Sequence, residues 1–198
     1  MAEWGFIKGL SLDEVFSDEK SIKNLKEGEY LYVLFEASKK STLFIYDDER
    51  KGYSRFVKDT NGLGRDKTFC MRNPNHRDVF LFKIDGVLFP KQSKCDCAVI
   101  FGDQMAFIEF KTKAANKSED TMEAHYSKIY NQLKITINAF ESGYSRIGRN
   151  FRGFFSQIMA YGVFNPTVPA NNATEKILIA RFAKEVKMAL SFSNTRTL

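Results

Sequence analysis

An opposed pair of acidic residues on a predicted β-hairpin suggests metal chemistry. Lys94–Phe101 and Met105–Thr112 are predicted strands, and Gly102-Asp103 between them is a two-residue turn signal. This register places Asp96 directly opposite Glu109. Opposed side chains begin about 5 Å apart, so both carboxylates could bind one hard cation such as Mg²⁺ through oxygen. The hairpin is therefore the first candidate for a catalytic or metal-binding site.

Alternation along the two strands divides this hairpin into an apolar face and a charged face. The apolar face, which we expect to pack on the core, holds Cys95, Cys97, Val99, Phe101, Ala106, Ile108 and Phe110. The charged face is expected to be partly covered, since apolar side chains share it; its members are Asp96, Glu109, Lys111 and Lys113, with Ile100 and Phe107.

Two interpretations of the charged face stay open. Like charges directly opposite each other cost stability, and a bound cation would remove that repulsion. Diagonal pairing of Asp96 with Lys111 and of Glu109 with Lys94 would instead make an ordinary salt-bridge network on a solvated surface. Both interpretations fit the spacing.

The first 76 residues are predicted to form a lobe of helix and hairpin. Ser11–Glu14 has the form of a capping box, and apolar spacing predicts a helical stretch that ends at Gly28. Tyr30–Phe35 and Thr42–Tyr46 are predicted strands of a hairpin. The polar and basic segment 47–75 is predicted to be a long loop or an irregular insertion.

A long amphipathic helix is predicted after the acidic hairpin. Apolar residues recur at spacings of three and four from Met122 to Phe140, and the helix is expected to end near Gly143. The other predicted elements are a strand at Val79–Phe82, a turn at Asp85-Gly86, an extended segment at Val87–Phe89, a mostly helical Phe151–Phe164 and a last strand at Lys176–Phe182.

The acidic hairpin resembles the PD-(D/E)xK nuclease superfamily, which has the restriction-endonuclease-like fold. The resemblance lies in Asp96, twelve intervening residues, and then Glu109-Phe110-Lys111 at the end of an apolar strand. In that family a helix precedes a three-strand meander, a second helix follows, and a further strand completes a mixed sheet. Here the meander would be residues 79–112, the helix that follows it 119–141, and the further strand 176–182. Cys95 stands where the family usually has proline, and this change removes no metal-binding atom.

The resemblance implies an α/β fold in one domain, with a mixed β-sheet flanked by helices. It covers residues 77–183. The flanking segments 1–76 and 184–198 would then be an N-terminal helix and hairpin lobe and a C-terminal extension.

The resemblance also implies a role for each residue of the motif. Asp96 and Glu109 would bind Mg²⁺ or Mn²⁺ together with the backbone carbonyl of Phe110, and Lys111 would position the attacking water or help to deprotonate it. Some branches carry a glutamine in the helix after the motif, and Gln132 lies there. The family also takes an acidic residue from its leading helix, for which the candidates are Glu14, Glu19 and Glu36.

Basic residues beside the motif predict a polyanionic partner. His125, Lys128 and Gln132 follow helical spacing along one line. The segment Tyr144–Arg152 interleaves arginines with aromatic residues, as in loops that bind phosphates and stack on bases. A polar helix flank and an ordinary interhelix loop are the alternative interpretations. The predicted nucleic-acid-binding residues are Lys113, Lys128, Gln132, Arg146, Arg149 and Arg152.

Composition narrows the class of protein. The chain has 198 residues, 43% hydrophobic and 14% aromatic, which excludes a disordered tail or linker. The formal net charge is +6, although residues 1–30 hold four basic residues against seven acidic ones, so the positive charge lies in the remainder. The three cysteines are expected to be reduced in a cytoplasmic protein, and neither a secretion signal nor a membrane span is expected.

The leading hypothesis is a metal-dependent nuclease that hydrolyses phosphodiester bonds, in DNA rather than RNA. One such site cuts one strand at a time, so cutting both strands would require a homodimer. The alternative is a nucleic-acid-binding or accessory module that keeps the fold without cleaving. A protein-interaction domain is the third hypothesis, and it predicts no salt-sensitive affinity for nucleic acid.

Overall fold

The acidic hairpin lies within the larger of two β-sheets, and two long helices accompany the sheets in the described part of the chain. The computed structural model describes residues 4–26, 28–58, 67–90, 92–112, 119–168 and 172–198. Four short helices come first, at Gly5–Gly9 (α1), Leu12–Val15 (α2), Lys20–Lys23 (α3) and Glu29–Leu34 (α4). The longer helices are Glu119–Arg146 (α5) and Ala173–Glu185 (α6), and a 3₁₀ turn covers Phe151–Phe154. The strands are Phe35–Ser38 (β1), Thr42–Asp48 (β2), Tyr53–Val57 (β3), Thr68–Arg72 (β4), Val79–Lys83 (β5), Cys97–Phe101 (β6), Gln104–Lys111 (β7), Gln157–Phe164 (β8), Ala189–Ser191 (β9) and Thr195–Thr197 (β10).

The larger sheet is mixed, with strand order β1-β5-β6-β7-β8-β9. The pairs from β1 to β7 are antiparallel, so β5, β6 and β7 form a meander. β8 is parallel to β7 and β9 is parallel to β8. Parallel neighbours need a crossover connection, and α5 and α6 supply the two that this sheet requires.

The smaller sheet has the order β10-β4-β2-β3, with β10 parallel to β4 and the other pairs antiparallel. Its apolar face packs on the larger sheet. Side chains that meet there include Leu43, Ile45, Phe69 and Met71 of the smaller sheet and Val99, Ile108 and Val163 of the larger one. Three of its strands precede residue 77 and the fourth follows residue 184, so both ends of the chain build it.

Helix α5 covers the opposite face of the larger sheet, as its apolar stripe predicted. The stripe is buried through Tyr126, Ile129, Tyr130, Leu133, Ile137 and Phe140. The helix continues past Gly143 to Arg146, so this glycine does not end it. Gly143 instead allows α2 to pack closely, since a Cβ there would lie 2.8 Å from Val15 Cγ1. No helix within the described segments is long and apolar enough to cross a membrane.

The predicted hairpin register is confirmed, since Phe101 pairs with Gln104 and the ladder runs to Cys97 opposite Ile108. The prediction that only the apolar face of the hairpin packs on the core is incomplete. Both faces are buried, one against the smaller sheet and the other, which carries Phe107, against α5. Cys95 lies on the α5 side and was wrongly assigned to the face of Cys97, because it precedes β6 and strand alternation does not extend to it.

The N-terminal lobe differs from the prediction. Tyr30–Leu34 lies in α4 and only Phe35 begins a strand, because a short apolar run fits either a helix or a strand period. Segment 47–75, predicted to be a loop, contains β3 and β4. In β3 the buried position is the polar Ser54, whereas Tyr53 and Val57 lie on the outer face, so the strand shows no apolar-in, polar-out alternation. Val87–Phe89 forms no strand, although a single bridge joins Asp85 to Phe89.

Two predictions near the C-terminal end are wrong. Phe151–Phe164 is a 3₁₀ turn followed by β8, a parallel strand whose buried second half shows no alternation. Lys176–Phe182 lies in α6 rather than in a strand. The Asn172 side chain accepts a hydrogen bond from Glu175 N at 2.8 Å, a helix N-cap that the sequence contained.

Candidate active site

A cleft of about 340 Å³ opens where β6 begins and β7 ends. Its lining comes from these strands, from α5, from the end of β2 and from the turn after β5. Among the residues that the structure describes, the lining carries five carboxylates against two lysine ammonium groups. The lining side chains include Asp47, Glu49, Asp85, Asp96 and Glu109, with Lys111, His125, Lys128 and Gln132.

Asp96 is held in the cleft by backbone contacts on two sides. Its carboxylate oxygen Oδ2 accepts a hydrogen bond from the backbone N–H of Phe110 at 2.5 Å. Its own carbonyl accepts from the amides of Ile84 at 3.3 Å and Asp85 at 3.1 Å. The side chain is therefore fixed just beyond the end of the β6–β7 ladder, in the cleft that Glu109 also lines.

Glu109 is fully buried and only half of its carboxylate is satisfied. Oε1 contacts the Lys111 ammonium, whereas Oε2 has no hydrogen-bond partner among the described residues. Lys111 Nζ also donates to the carbonyl oxygen of Phe110 at 3.0 Å. The ammonium thus bridges two of the three groups predicted to bind a cation.

The charged forms of the carboxylates are disfavoured in the cleft. Burial raises the pKa of Glu109 to about 7, an effect that Lys111 opposes and that Asp47 and Asp85 increase. Burial raises the pKa of Asp96 well above its usual value, and the Glu109 and Asp47 carboxylates raise it further. Burial also raises the pKa of Asp47 and of Asp85. A cation would stabilise the ionised forms of all four groups.

Helix α5 anchors the segment that leads into β6. The hydroxyl of Thr136 accepts a hydrogen bond from Cys95 N at 2.8 Å and donates to the carbonyl of Gln132 at 2.7 Å. The amide of Gln132 donates to the Lys94 carbonyl at 2.8 Å, while its buried Oε1 has no partner in the described part of the chain. Exposed Lys128 lies at the rim of the cleft, so the predicted line of polar residues on α5 does face it.

Three acidic residues of the cleft were missed by the sequence reasoning. Asp47 and Glu49 follow the apolar part of β2 in a segment predicted to be a loop, and Asp85 was predicted only as a turn residue. The acidic cluster at 47–49 directly after a strand was the available signal.

The acidic candidates from the N-terminal region lie outside the cleft. Glu36 Oε2 accepts from Phe56 N at 3.1 Å, and its other oxygen pairs with Lys83 at 3.3 Å. Glu14 contacts Arg149 at 3.6 Å. Glu19 accepts from a glutamine side chain at 3.4 Å. None of these three lines the cleft with Asp96.

The three predicted arginines cluster at the far end of α5. Arg146 is fourteen residues beyond Gln132, about 21 Å along a helix. Arg146 pairs with Asp18 at 3.2 Å, and Arg149 Nη1 donates to Ser11 Oγ at 2.8 Å. Arg152 contacts Glu141 and the carbonyls of Val186 and Lys187 at 2.6 and 2.9 Å. The structure therefore does not bring these arginines to the cleft, and Lys113 lies outside the described residues.

Among the described residues, no group of three or more histidine, cysteine, aspartate or glutamate side chains is arranged to hold a metal ion. Comparison with family models, curated proteins and solved structures finds no match to this chain. Function therefore has to be inferred from the cleft itself.

Proposed function

We propose that this chain is a metal-dependent nuclease of the PD-(D/E)xK type that hydrolyses phosphodiester bonds, in DNA rather than RNA. The observation that carries the proposal is the convergence of Asp96, Glu109 and Lys111 in one cleft, where a fully buried oxygen of Glu109 has no partner among the described residues. A protein gains no stability from such an oxygen. A bound cation would supply the missing partner of this Glu109 oxygen.

The order of the elements supports this proposal. The meander β5-β6-β7 is followed by α5 and then by β8, which lies parallel to β7. A meander, a helix and a further strand are the elements that the resemblance requires after the leading helix. The further strand is β8, at 157–164, instead of the predicted 176–182.

The donor set fits a hard divalent cation such as Mg²⁺ or Mn²⁺. Asp96, Glu109 and the carbonyl of Phe110 would hold the ion, and all three offer oxygen, which these ions prefer. This set has only two acidic side chains, which is consistent with the finding that no three metal-binding side chains are grouped among the described residues. When bound, the ion would lower the pKa of its water and neutralise charge on the phosphate.

The chain's own residues would then orient the reaction. The Phe110 amide fixes Asp96, and the hydroxyl of Thr136 holds the preceding segment on α5. Lys111, once released from Glu109, would place its ammonium beside the attacking water and the scissile phosphodiester, where positive charge stabilises the transition state. Lys128 at the rim would attract the polyanion.

The first test is a cleavage assay on linear, circular and single-stranded DNA and on RNA, with Mg²⁺, Mn²⁺ or EDTA. We expect cleavage that needs metal and is lost in Asp96→Asn and Glu109→Gln, while nucleic-acid binding is kept. Asp103→Asn is the matched control, since it makes the same change at the exposed turn of the same hairpin. A wild type that binds in a salt-dependent manner but cleaves no substrate with either metal would refute the proposal.

The second candidate is a non-cleaving nucleic-acid-binding module, and one observation favours it. The Lys111 ammonium pairs with Glu109 Oε1 and contacts the Phe110 carbonyl, so a cationic group already occupies two of the proposed metal ligands without any metal. In such a module the pair would be permanent. A calorimetric titration with Mg²⁺ separates the two functions, because the module binds no metal at millimolar concentration and still binds DNA.

A further inference from the structure

A second cavity lies on the outer face of the smaller sheet, and the proposed cleavage chemistry does not use it. Its volume is about 500 Å³, which is within the range of ligand sites. We call it the outer cavity. Its lining includes Thr42, Phe44, Arg72, Pro166, Asn194 and Thr195.

The sheet register puts the key side chains of the outer cavity on one surface. Thr42 pairs with Arg72 across β2 and β4, and Phe44 is two residues further along β2, so the three share a face. The intervening residues Leu43 and Ile45 point the other way and are buried between the sheets. The cavity is therefore separated from the core by the thickness of one sheet.

The chemistry of the outer cavity is opposite to that of the cleft. No carboxylate lines its described part. Arg72 is exposed, and its guanidinium has no ion pair or hydrogen bond to any residue that the structure describes. The half-buried ring of Phe44 lies in the same cavity, with the hydroxyls of Thr42 and Thr195.

This combination suits a nucleotide. A base can stack on an aromatic ring, a phosphate pairs with a guanidinium, and hydroxyls can donate to or accept from a base edge. The absence of negative charge from the described lining matches a polyanion.

Strand β2 contributes residues to both the outer cavity and the cleft. Phe44 in the cavity and Asp47 in the cleft are three residues apart on β2, about 10 Å along the strand, and they point to opposite faces of the smaller sheet. On the other side, Asn194 Nδ2 donates to the carbonyl of Phe164 at 2.6 Å, and Phe164 is paired with Lys111. A nucleic-acid strand that occupies both sites therefore has to pass around the smaller sheet, which takes more nucleotides than the roughly 10 Å along β2 alone.

We propose that the outer cavity binds an unpaired nucleotide of the strand whose phosphodiester enters the cleft, with its base on Phe44 and a phosphate on Arg72. The proposal rests on the nuclease function and names its substrate class, a single-stranded nucleic acid or an unpaired strand end. A ring reaches the face of a base only where that base has left the duplex stack.

The test measures binding by the full chain in EDTA, where metal-dependent cleavage does not compete. Fluorescence anisotropy follows a labelled oligothymidylate and a duplex of equal length over a range of salt concentrations. We expect the wild type to bind the single strand about tenfold or more tightly than the duplex. Phe44→Leu should weaken single-strand binding about tenfold, and Arg72→Gln should weaken it and reduce the salt slope by about one.

Matched controls make the same changes away from the outer cavity. Phe6→Leu and Arg77→Gln alter an exposed ring and an exposed guanidinium that lie in a different cavity, and both should bind like the wild type. Arg72 is exposed, so Arg72→Gln tests the site even if Phe44→Leu disturbs folding.

The outcomes separate this proposal from the nuclease function. Wild-type affinity in Phe44→Leu and Arg72→Gln, or equal affinity of the wild type for duplex and single strand, overturns the outer cavity as a subsite, whatever the cleavage assay gives. Loss of single-strand affinity in both variants of a protein that cleaves nothing with metal supports the subsite and refutes the nuclease. A wild type with no affinity for either probe overturns the subsite.

Discussion

Ionisation of Glu109 should cost the metal-free protein stability as the pH rises towards neutrality. The pKa of this buried carboxyl is raised from 4.5 to about 7 by folding. Between these values the folded protein keeps a proton that the unfolded chain has released, so the free energy of unfolding falls as the pH rises. At about 1.4 kcal/mol for each pKa unit, the whole shift corresponds to about 3 kcal/mol.

Glu109→Gln is the perturbation that isolates this effect, since glutamine keeps the shape and carries no charge. Relative to the wild type, the variant should gain about 3 kcal/mol of unfolding free energy between about pH 4 and about pH 8. Urea unfolding in EDTA, followed by circular dichroism at a series of pH values, measures the difference. Mg²⁺ added at about pH 8 should stabilise the wild type and leave the variant unchanged.

Asp103→Asn, at the exposed turn of the same hairpin, should follow the wild-type curve in parallel. The reasoning is wrong if the difference between Glu109→Gln and the wild type stays constant across this pH range. It is also wrong if the difference changes in the opposite direction, because Glu109 would then ionise more easily in the folded protein than in the unfolded chain.

Three further outcomes are expected. Lys111→Met removes the ammonium that competes for Glu109, so calorimetry should show Mg²⁺ affinity raised by about tenfold, for roughly 1.4 kcal/mol of lost competition, while cleavage falls. Thr136→Val leaves a buried backbone amide without its acceptor and should cost about 1–3 kcal/mol in urea unfolding, whereas Thr136→Ser should keep most of that stability. Gly143→Ala should destabilise by about 1–3 kcal/mol despite alanine's better helix propensity, because its Cβ would lie 2.8 Å from a Val15 methyl; a rise in unfolding temperature would contradict this packing.

The hairpin and α5 could be predicted because their signals are local. A two-residue turn fixes the register of both flanking strands, so the pairing from Phe101 opposite Gln104 to Cys97 opposite Ile108 follows from the positions of Gly102 and Asp103 alone. The apolar stripe of α5 repeats over five turns and no strand period imitates it. The prediction that the hairpin and α5 line the same cleft came from the family resemblance.

The missed parts depend on contacts that are distant in sequence. β8 is covered on one face by α5 and on the other by the smaller sheet, so its sequence shows little alternation and was predicted to be helical. Asp47 reaches the cleft only because the smaller sheet packs against the larger one. No spacing within the motif indicates that contact.

The two cysteines that flank Asp96 sit in different cores, and this gives the protein an intrinsic chemical reporter. Cys95 packs on the α5 side and Cys97 between the sheets, both fully buried, and burial raises the pKa of each thiol. An alkylating reagent reaches either sulfur only when its own layer separates from the start of β6. Labelling rates of the native chain therefore tell which side of the site opens first, and how often, with no engineered probe.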